Sequence, residues 1–379
     1  MNGWRVGICV ALWVAGTLTA QELKVVAKDP QGHGLLCMAG TKRVLIVDGT
    51  PEQMGGAHGR LLADLVPHVT PNTMALVAAG YAVQKGEWFY DHIDDIYRCA
   101  SPHTPERFIR ECRAMAAAAG ISERDALCGN FFPELFHCSG VAVRGKASAD
   151  GHVVHARVLD YMRDINLQKY TVLQVFIPSN EIPWVSVGYA SFLGTVTAMN
   201  ARGVAIGEMG GRGEQRWNGV PMTFLMREIA EQADSVDQAL AIMRREPRTC
   251  EYYYVISDAK RNMVGVHATP EKVEVLMPGQ QDPRLPPVPE DTVMFSAGSR
   301  AKALSERLHA DFGKITPELM MEIVKRPVAM KSNLHDAIFM PETLDLWFAD
   351  AGKKTPACDE PYTKVNLRSL LDFYRAQPK

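Results

Sequence analysis

The chain has 379 residues, 47% of them hydrophobic and 22% charged, with a formal net charge of −2. That profile supports a sizeable buried core and excludes a disordered chain, a collagen-like repeat and a small disulfide knot. With 41 basic against 43 acidic residues, and no basic run interleaved with aromatics, no groove for a phosphate backbone is expected and nucleic acid is not a predicted partner.

Arg5 leads an apolar run from Val6 to Ala15 and a small-residue stretch ending Thr19-Ala20, which reads as a signal peptide over 1–20 cut near Ala20. That run is short for a bilayer span of about 20 residues, and no later segment is long and apolar enough to cross, so no stable membrane span is expected. The predicted location is secreted or periplasmic. Cysteines stand at 9, 37, 99, 112, 128, 138, 250 and 358, with no CxxC pair and no spacing of zinc-site type, so no metal and no organic cofactor is expected. Cys9 leaves with the leader, and the odd remainder of seven implies one thiol outside any internal disulfide.

An extended stretch at 22–48 precedes Thr50-Pro51-Glu52-Gln53, a capping box with proline at the first helical position, and predicts a helix from Pro51 to about Val66. Gly55, Gly56 and Gly59 within it read as close helix packing, because no Lys-Ser/Thr follows them as in a phosphate loop. A second helix opens at Thr104-Pro105-Glu106 and stops at Gly120, so the first third is read as largely helical. From 139 to 209 the texture becomes a run of strands joined by turns such as Ala149-Asp150-Gly151, read as one antiparallel meander. Helices at 221–232 and 236–244, strands at 252–257, 263–267 and 272–276, helices at 299–312 and 317–325, and a hairpin over 336–349 complete the pattern, with a short terminal helix. Helical blocks alternating with antiparallel strand blocks predict an α+β protein with two central sheets covered by helices.

The HExxH, GxSxG, P-loop and GxGxxG motifs are absent. What stands out is Cys138, at the break between the helical third and the first strand, with Arg157 and Asp160 on the strand that returns past it. A guanidinium near a thiol favours the thiolate, and a carboxylate can orient a partner base. On spacing alone, a surface ion pair and a packed cysteine fit as well. Tyr252-Tyr253-Tyr254 reads as an alternating strand in the core, and Gly210-Gly211-Arg212-Gly213 as a loop.

The segment from Cys138-Ser139 through Ala156-Arg157-Val158-Leu159-Asp160-Tyr161 resembles the start of the catalytic chain in N-terminal-nucleophile (Ntn) amide hydrolases. Its relatives include isopenicillin-N acyltransferase, acyl-CoA:6-aminopenicillanic acid acyltransferase, choloylglycine hydrolase and N-acylethanolamine acid amidase. Gly49-Thr50-Pro51 to Gly59-Arg60 and Met199-Asn200-Ala201-Arg202-Gly203-Val204 are similar to further motifs of these proteins. The resemblance implies a four-layer αββα sandwich and self-cleavage between His137 and Cys138. It implies a helical chain over 21–137 that stays associated with a catalytic chain over 138–379. It also implies that Cys138 is nucleophile and, through its new α-amine, general base, with Arg157 supporting the sulfur and Asp160 holding the amine. Val158 departs from the family's Asn, and no Asn stands at Val293 to Gly298 where the oxyanion-hole residue is expected. Ser296, the backbone near Met209 and Asn333 are the candidates left for that role. The implied activity is a cysteine amidohydrolase acting on a linear N-acyl amide. The alternatives are transfer of the acyl group to an amine, an inert secreted binding protein of the same fold, and a peptidase with a Cys–His pair.

Overall fold

The computed structural model describes residues 22–131, 138–161, 163–211 and 216–378. The signal-peptide reading over 1–20, His137 and Arg212-Gly213 therefore lie outside the described residues. Strands β1 (Leu23–Lys28), β2 (Gly34–Ala39) and β3 (Lys42–Gly49) form an antiparallel ribbon. Thr50 then starts α1 (Pro51–Leu61): its hydroxyl accepts the Gln53 N–H, and the Gln53 side chain accepts the Thr50 N–H. Helices α2 (Val66–Lys85), α3 (Phe89–Ala100), α4 (Glu106–Ala119) and α5 (Glu123–Phe131) follow. Gly55 and Gly59 let α1 lie on α4 at backbone contact, since a Cβ on either would overlap the carbonyl of Glu111 or come within 2.5 Å of that of Met115.

Strands β4 (Ser139–Gly145) and β5 (Gly151–Asp160) make a hairpin, and β6 (Thr171–Pro178), β7 (Trp184–Tyr189), β8 (Thr197–Asn200) and β9 (Ala205–Gly210) a meander. These do not form one sheet as the sequence reading had it. The hairpin belongs to a second sheet, because the link from Asp160 to Thr171 is two short 3₁₀ turns that carry the chain across rather than a tight turn. After α6 (Met222–Gln232) and α7 (Val236–Arg245), strands β10 (Tyr252–Ser257), β11 (Met263–Ala268) and β12 (Val273–Leu276) extend the first sheet. Strand β13 (Thr292–Phe295), helices α8 (Gly298–Ala310) and α9 (Pro317–Val324), strands β14 (Asn333–Met340), β15 (Asp345–Asp350) and β16 (Thr363–Asn366), and α10 (Leu367–Arg375) complete the described chain.

The ten-stranded sheet runs β1-β2-β3-β6-β7-β8-β9-β10-β11-β12 and the six-stranded sheet β13-β4-β5-β14-β15-β16. The N-terminal region is thus only partly helical, and β3 enters the large sheet parallel to β6, with Val44 opposite Leu173. Helices α1, α4, α6 and α7 pack on the outer face of the large sheet and α8 and α9 on that of the small one. The inner faces meet in two clusters, one apolar throughout and one containing Cys138. The fold is therefore α+β in four layers, αββα.

A buried ion network fastens α4 to α6. The Arg227 guanidinium donates to Glu111 at 2.5 Å, to Glu231 at 2.8 Å and to the Leu193 carbonyl at 2.9 Å, and lies over the rings of Phe108, Phe176 and Trp184. Burial pushes the Glu111 carboxyl up to about 7 against the pull of Arg227. No disulfide joins the seven cysteines among the described residues. Cys37, Cys128 and Cys358 pack as small apolar residues: burial raises the Cys37 thiol to about 11 and those of Cys128 and Cys358 to about 12.

Candidate active site

Strand parity decides which side chains reach the space between the sheets. In β4, Val141 and Val143 face α8 and α9, whereas Cys138 and Ala142 face the large sheet. In β5, Gly140 opposes Arg157 and Val141 opposes Ala156, so Arg157 and Leu159 share the inner face with Cys138. The predicted hairpin thus brings Arg157 to the Cys138 side of the sheet. Gly140 is bare for a reason: a Cβ there would come within 2.6 Å of the Met209 sulfur. Met209 accordingly packs in the cluster that holds Cys138.

Arg157 is fully buried, its methylenes resting on Gly207, and its guanidinium reaches the equally buried Glu208 at 3.4 Å. Burying two opposite charges is stable only when both are paired.

Asp160 occupies the end of β5. One carboxylate oxygen accepts the Met330 N–H at 2.8 Å and the other accepts from Arg300. The same guanidinium donates to the Ser139 hydroxyl at 2.7 Å, which in turn meets the Ser296 hydroxyl at 2.7 Å. Burial pushes the Asp160 carboxyl up to about 6, with Arg300 opposing the shift. Arg300 therefore joins Asp160 to Ser139, the residue after Cys138, and through Ser139 to Ser296. Arg300 was not picked out from the sequence. Its signal was available, because an arginine in the first turn of α8 opposes the helix dipole and so calls for a specific anion.

Asn333 is placed differently from its expectation as an oxyanion donor. Its amide nitrogen donates to the Leu159 carbonyl at 3.1 Å and to Asp336 at 2.8 Å, and its oxygen accepts the Cys358 N–H at 2.7 Å. That amide is consumed in joining β14 to β5 and to the segment around Cys358, which makes it a structural residue. Burial raises the neighbouring Asp336 to about 7.

The two histidines of the inner strands are also committed. His155 meets Ser257 at 2.8 Å and burial pushes it down to about 3. His335 lies between the Tyr189 hydroxyl and Thr197, each at 2.9 Å, and burial likewise lowers it. Both imidazoles are thus engaged by neighbours other than Cys138. Among the described residues, no group of three or more His, Cys, Asp or Glu side chains is arranged to hold a metal ion.

A cleft of about 730 Å³, counting its open mouth, adjoins this cluster. Leu159, Tyr189 and Leu334 belong both to its wall and to the Cys138 cluster, and Val69, Thr73 and Val77 of α2 form the opposite wall. The lining is almost wholly apolar, which suits an aliphatic or aromatic group. Among the described residues, no helix is long and apolar enough to cross a membrane.

The four-layer αββα arrangement can be set beside known proteins. Residues 150–281 match the family model of acyl-coenzyme A:6-aminopenicillanic acid acyl-transferase. The protein dcd1B of Dictyostelium discoideum is 24% identical over 367 residues, covering 88% of this chain and 72% of that protein. The mouse N-acylethanolamine-hydrolyzing acid amidase is 21% identical over 242 residues, covering 59% of this chain and 65% of the amidase. Among solved structures, the Caenorhabditis elegans ortholog of that amidase superposes with a TM-score of 0.46 at 15% identity, covering 54% of this chain and 93% of that one. The chain is thus similar to an acyl-transferase family over residues 150–281 and to proteins named as amidases.

Proposed function

We propose that this protein is an exported, self-processing cysteine amidohydrolase that cleaves a linear N-acyl amide through a thioester on Cys138. The observation that carries the reading is the position of Cys138: first residue before β4, on the inner face beside Arg157, in the cluster that walls an apolar cleft. The cleft takes the acyl group, and the chain is cut between His137 and Cys138.

The chemistry follows from that cut. A free α-amine has a pKa of about 8 against about 10.4 for a lysine, so near neutrality part of it is unprotonated and takes the proton of its own thiol. The thiolate adds to the amide carbonyl, and the buried Arg157 supports the sulfur's charge. The C–N bond then breaks, and the leaving amine takes its proton from the α-ammonium, which Asp160 holds. Water adds to the thioester, the C–S bond breaks, and the carboxylic acid departs with the thiol restored. Acyl transfer differs only in the last step, where an amine replaces water, and the name of the matching family favours keeping it as the second reading. Met209 packs in the Cys138 cluster, so its backbone is the oxyanion candidate on that face, whereas the Ser139–Ser296 pair is turned towards Arg300 of α8.

The test is intact-mass analysis with N-terminal sequencing. Two associated chains are expected, one starting near Gln21 and the other at Cys138, with the cut absent in Cys138→Ala. A single uncut chain that turns over no N-acyl amide would overturn the reading and leave an inert binding protein of this fold.

A further inference from the structure

Three contacts step along the two inner faces together. His155 of β5 meets Ser257 of β10, Arg157 rests on Gly207, opposite Val255, and Gly140 lies against Met209 and Val255. Each step of two residues outward on β4 and β5 is a step of two outward on β9 and β10. Cys138, two residues beyond Gly140, therefore faces the level of Met209 and Tyr253.

At that level the pairings make one cross-strand row: Met209 opposes Tyr253, Tyr253 opposes His267, and His267 opposes Glu274. With strands about 5 Å apart, the row runs on the order of 15 Å from the Cys138 level to the sheet edge. Tyr253 stacks on His267 at 4.6 Å and touches Phe295, a member of the Cys138 cluster. Beyond the rings the row is polar: Glu251 accepts from the Tyr253 hydroxyl at 2.9 Å and lies 2.7 Å from His267 Nε2, and Glu274 lies 2.7 Å from Nδ1. Arg284 approaches the same Nδ1 at 3.0 Å while ion-paired to Asp282. The apolar cleft adjoins the other flank of Cys138, along Leu159, Tyr189 and Leu334.

The geometry points to the Tyr253–His267–Glu251 row as the subsite for the amine half of the substrate, selecting an amine that carries its own hydrogen-bond-donating head group. This rests on the proposed amidase reading, because an amide whose acyl half fills the cleft must send its nitrogen substituent away from it, along the row. The stacked rings give such a fragment a flat wall, and the carboxylates accept its donor. Tyr253, His267 and Glu251 are specificity-determining residues here and have no part in the chemical steps.

The test uses the processed protein and amides of one fatty acyl chain with three amines of equal length, ending in a hydroxyl, an ammonium or a methyl group. The donor-bearing amides are expected to exceed the methyl one by at least about tenfold in kcat/KM, and their ranking identifies the head group. Tyr253→Phe and His267→Gln should bring the ratio towards one while the acyl-length profile stays unchanged. A wild-type ratio near one, an unmoved ratio in both variants, or a shift of the acyl-length profile would overturn the assignment. A second measurement needs no turnover: the free donor-bearing amine should raise the melting temperature, the alkylamine should not, and His267→Gln should abolish the difference. Loss of that signal sinks the subsite, whereas its persistence without turnover or cleavage would fault only the amidase reading.

Discussion

The two ends of the space between the sheets are built from the same strands and hold opposite contents. At one end Val44, Val175, Val185, Phe339 and Phe348 meet in an apolar core. At the other, Cys138, Leu159, Tyr189 and Met209 adjoin the buried Arg157 and Asp160 and an apolar cleft. The first end is favourable wherever apolar area is removed from water. The second carries charges that burial penalises, held by Glu208 and Arg300. The contrast separates what holds the fold from what is proposed to do chemistry on it, and each substitution below should fall on one side.

The largest expected effect is at Cys138. Cys138→Ala should lower amide turnover by on the order of a thousandfold or more and abolish the cut, read by turnover assays and intact mass. Arg157→Ala should lower both stability and turnover. It strands the Glu208 carboxylate in protein, a loss of about 3–5 kcal/mol, and removes the positive charge beside the thiol, read by denaturant melts and turnover together. Phe339→Ala, at the apolar end, should cost a similar 3–5 kcal/mol yet leave kcat of the folded fraction intact. A large fall in kcat there would break the division.

A subtler effect is in the pH dependence. Burial pushes the Asp160 carboxyl up to about 6 in the fold, from 3.8 for an ordinary aspartate. Its neutral form is favoured by the fold, so the stability it contributes is complete below the unfolded value and is lost as pH rises through about 6. Under the proposed mechanism activity should move the other way, because there the Asp160 carboxylate holds the α-ammonium. The kcat/KM profile should therefore rise through about pH 6 while the melting temperature gains on the acid side, and Asp160→Asn should flatten both. The smallest effect is Thr50→Ala, which removes the α1 cap far from either end and should cost about 1 kcal/mol with unchanged turnover.

Local chemistry was the readable part of the sequence. The capping box at Thr50, the helix Met222–Gln232 and the strand Tyr252–Ser257 follow from signals within a few residues. Helix α2 was hidden because Pro67 and Pro71 argue against a helix. Pro67 falls in its first turn, and only Pro71 stands inside it. Strand β13 was hidden behind a proline-rich connector, and β1 to β3 were seen as extended without a partner, since a parallel pairing across more than a hundred residues leaves no local trace. At the candidate site, likeness to a family is what singles out Cys138, Arg157 and Asp160 as candidates. Arg300 and Glu208 are not singled out, because their meaning lies in the carboxylate or guanidinium that the fold sets against them.

The parallel ladder between β3 and β6 bears on the life history of the molecule. A cut before Cys138 would leave β3 on one polypeptide and β6 on the other, so a folding reaction within one chain would become an association between two. Melting of the cut form would then depend on concentration, falling on dilution, while the uncut form would not. Once denatured, the halves would have to find each other before β6 regained its neighbour. The intact precursor would thus be the form able to fold at low concentration, and processing would trade that ability for a free α-amine.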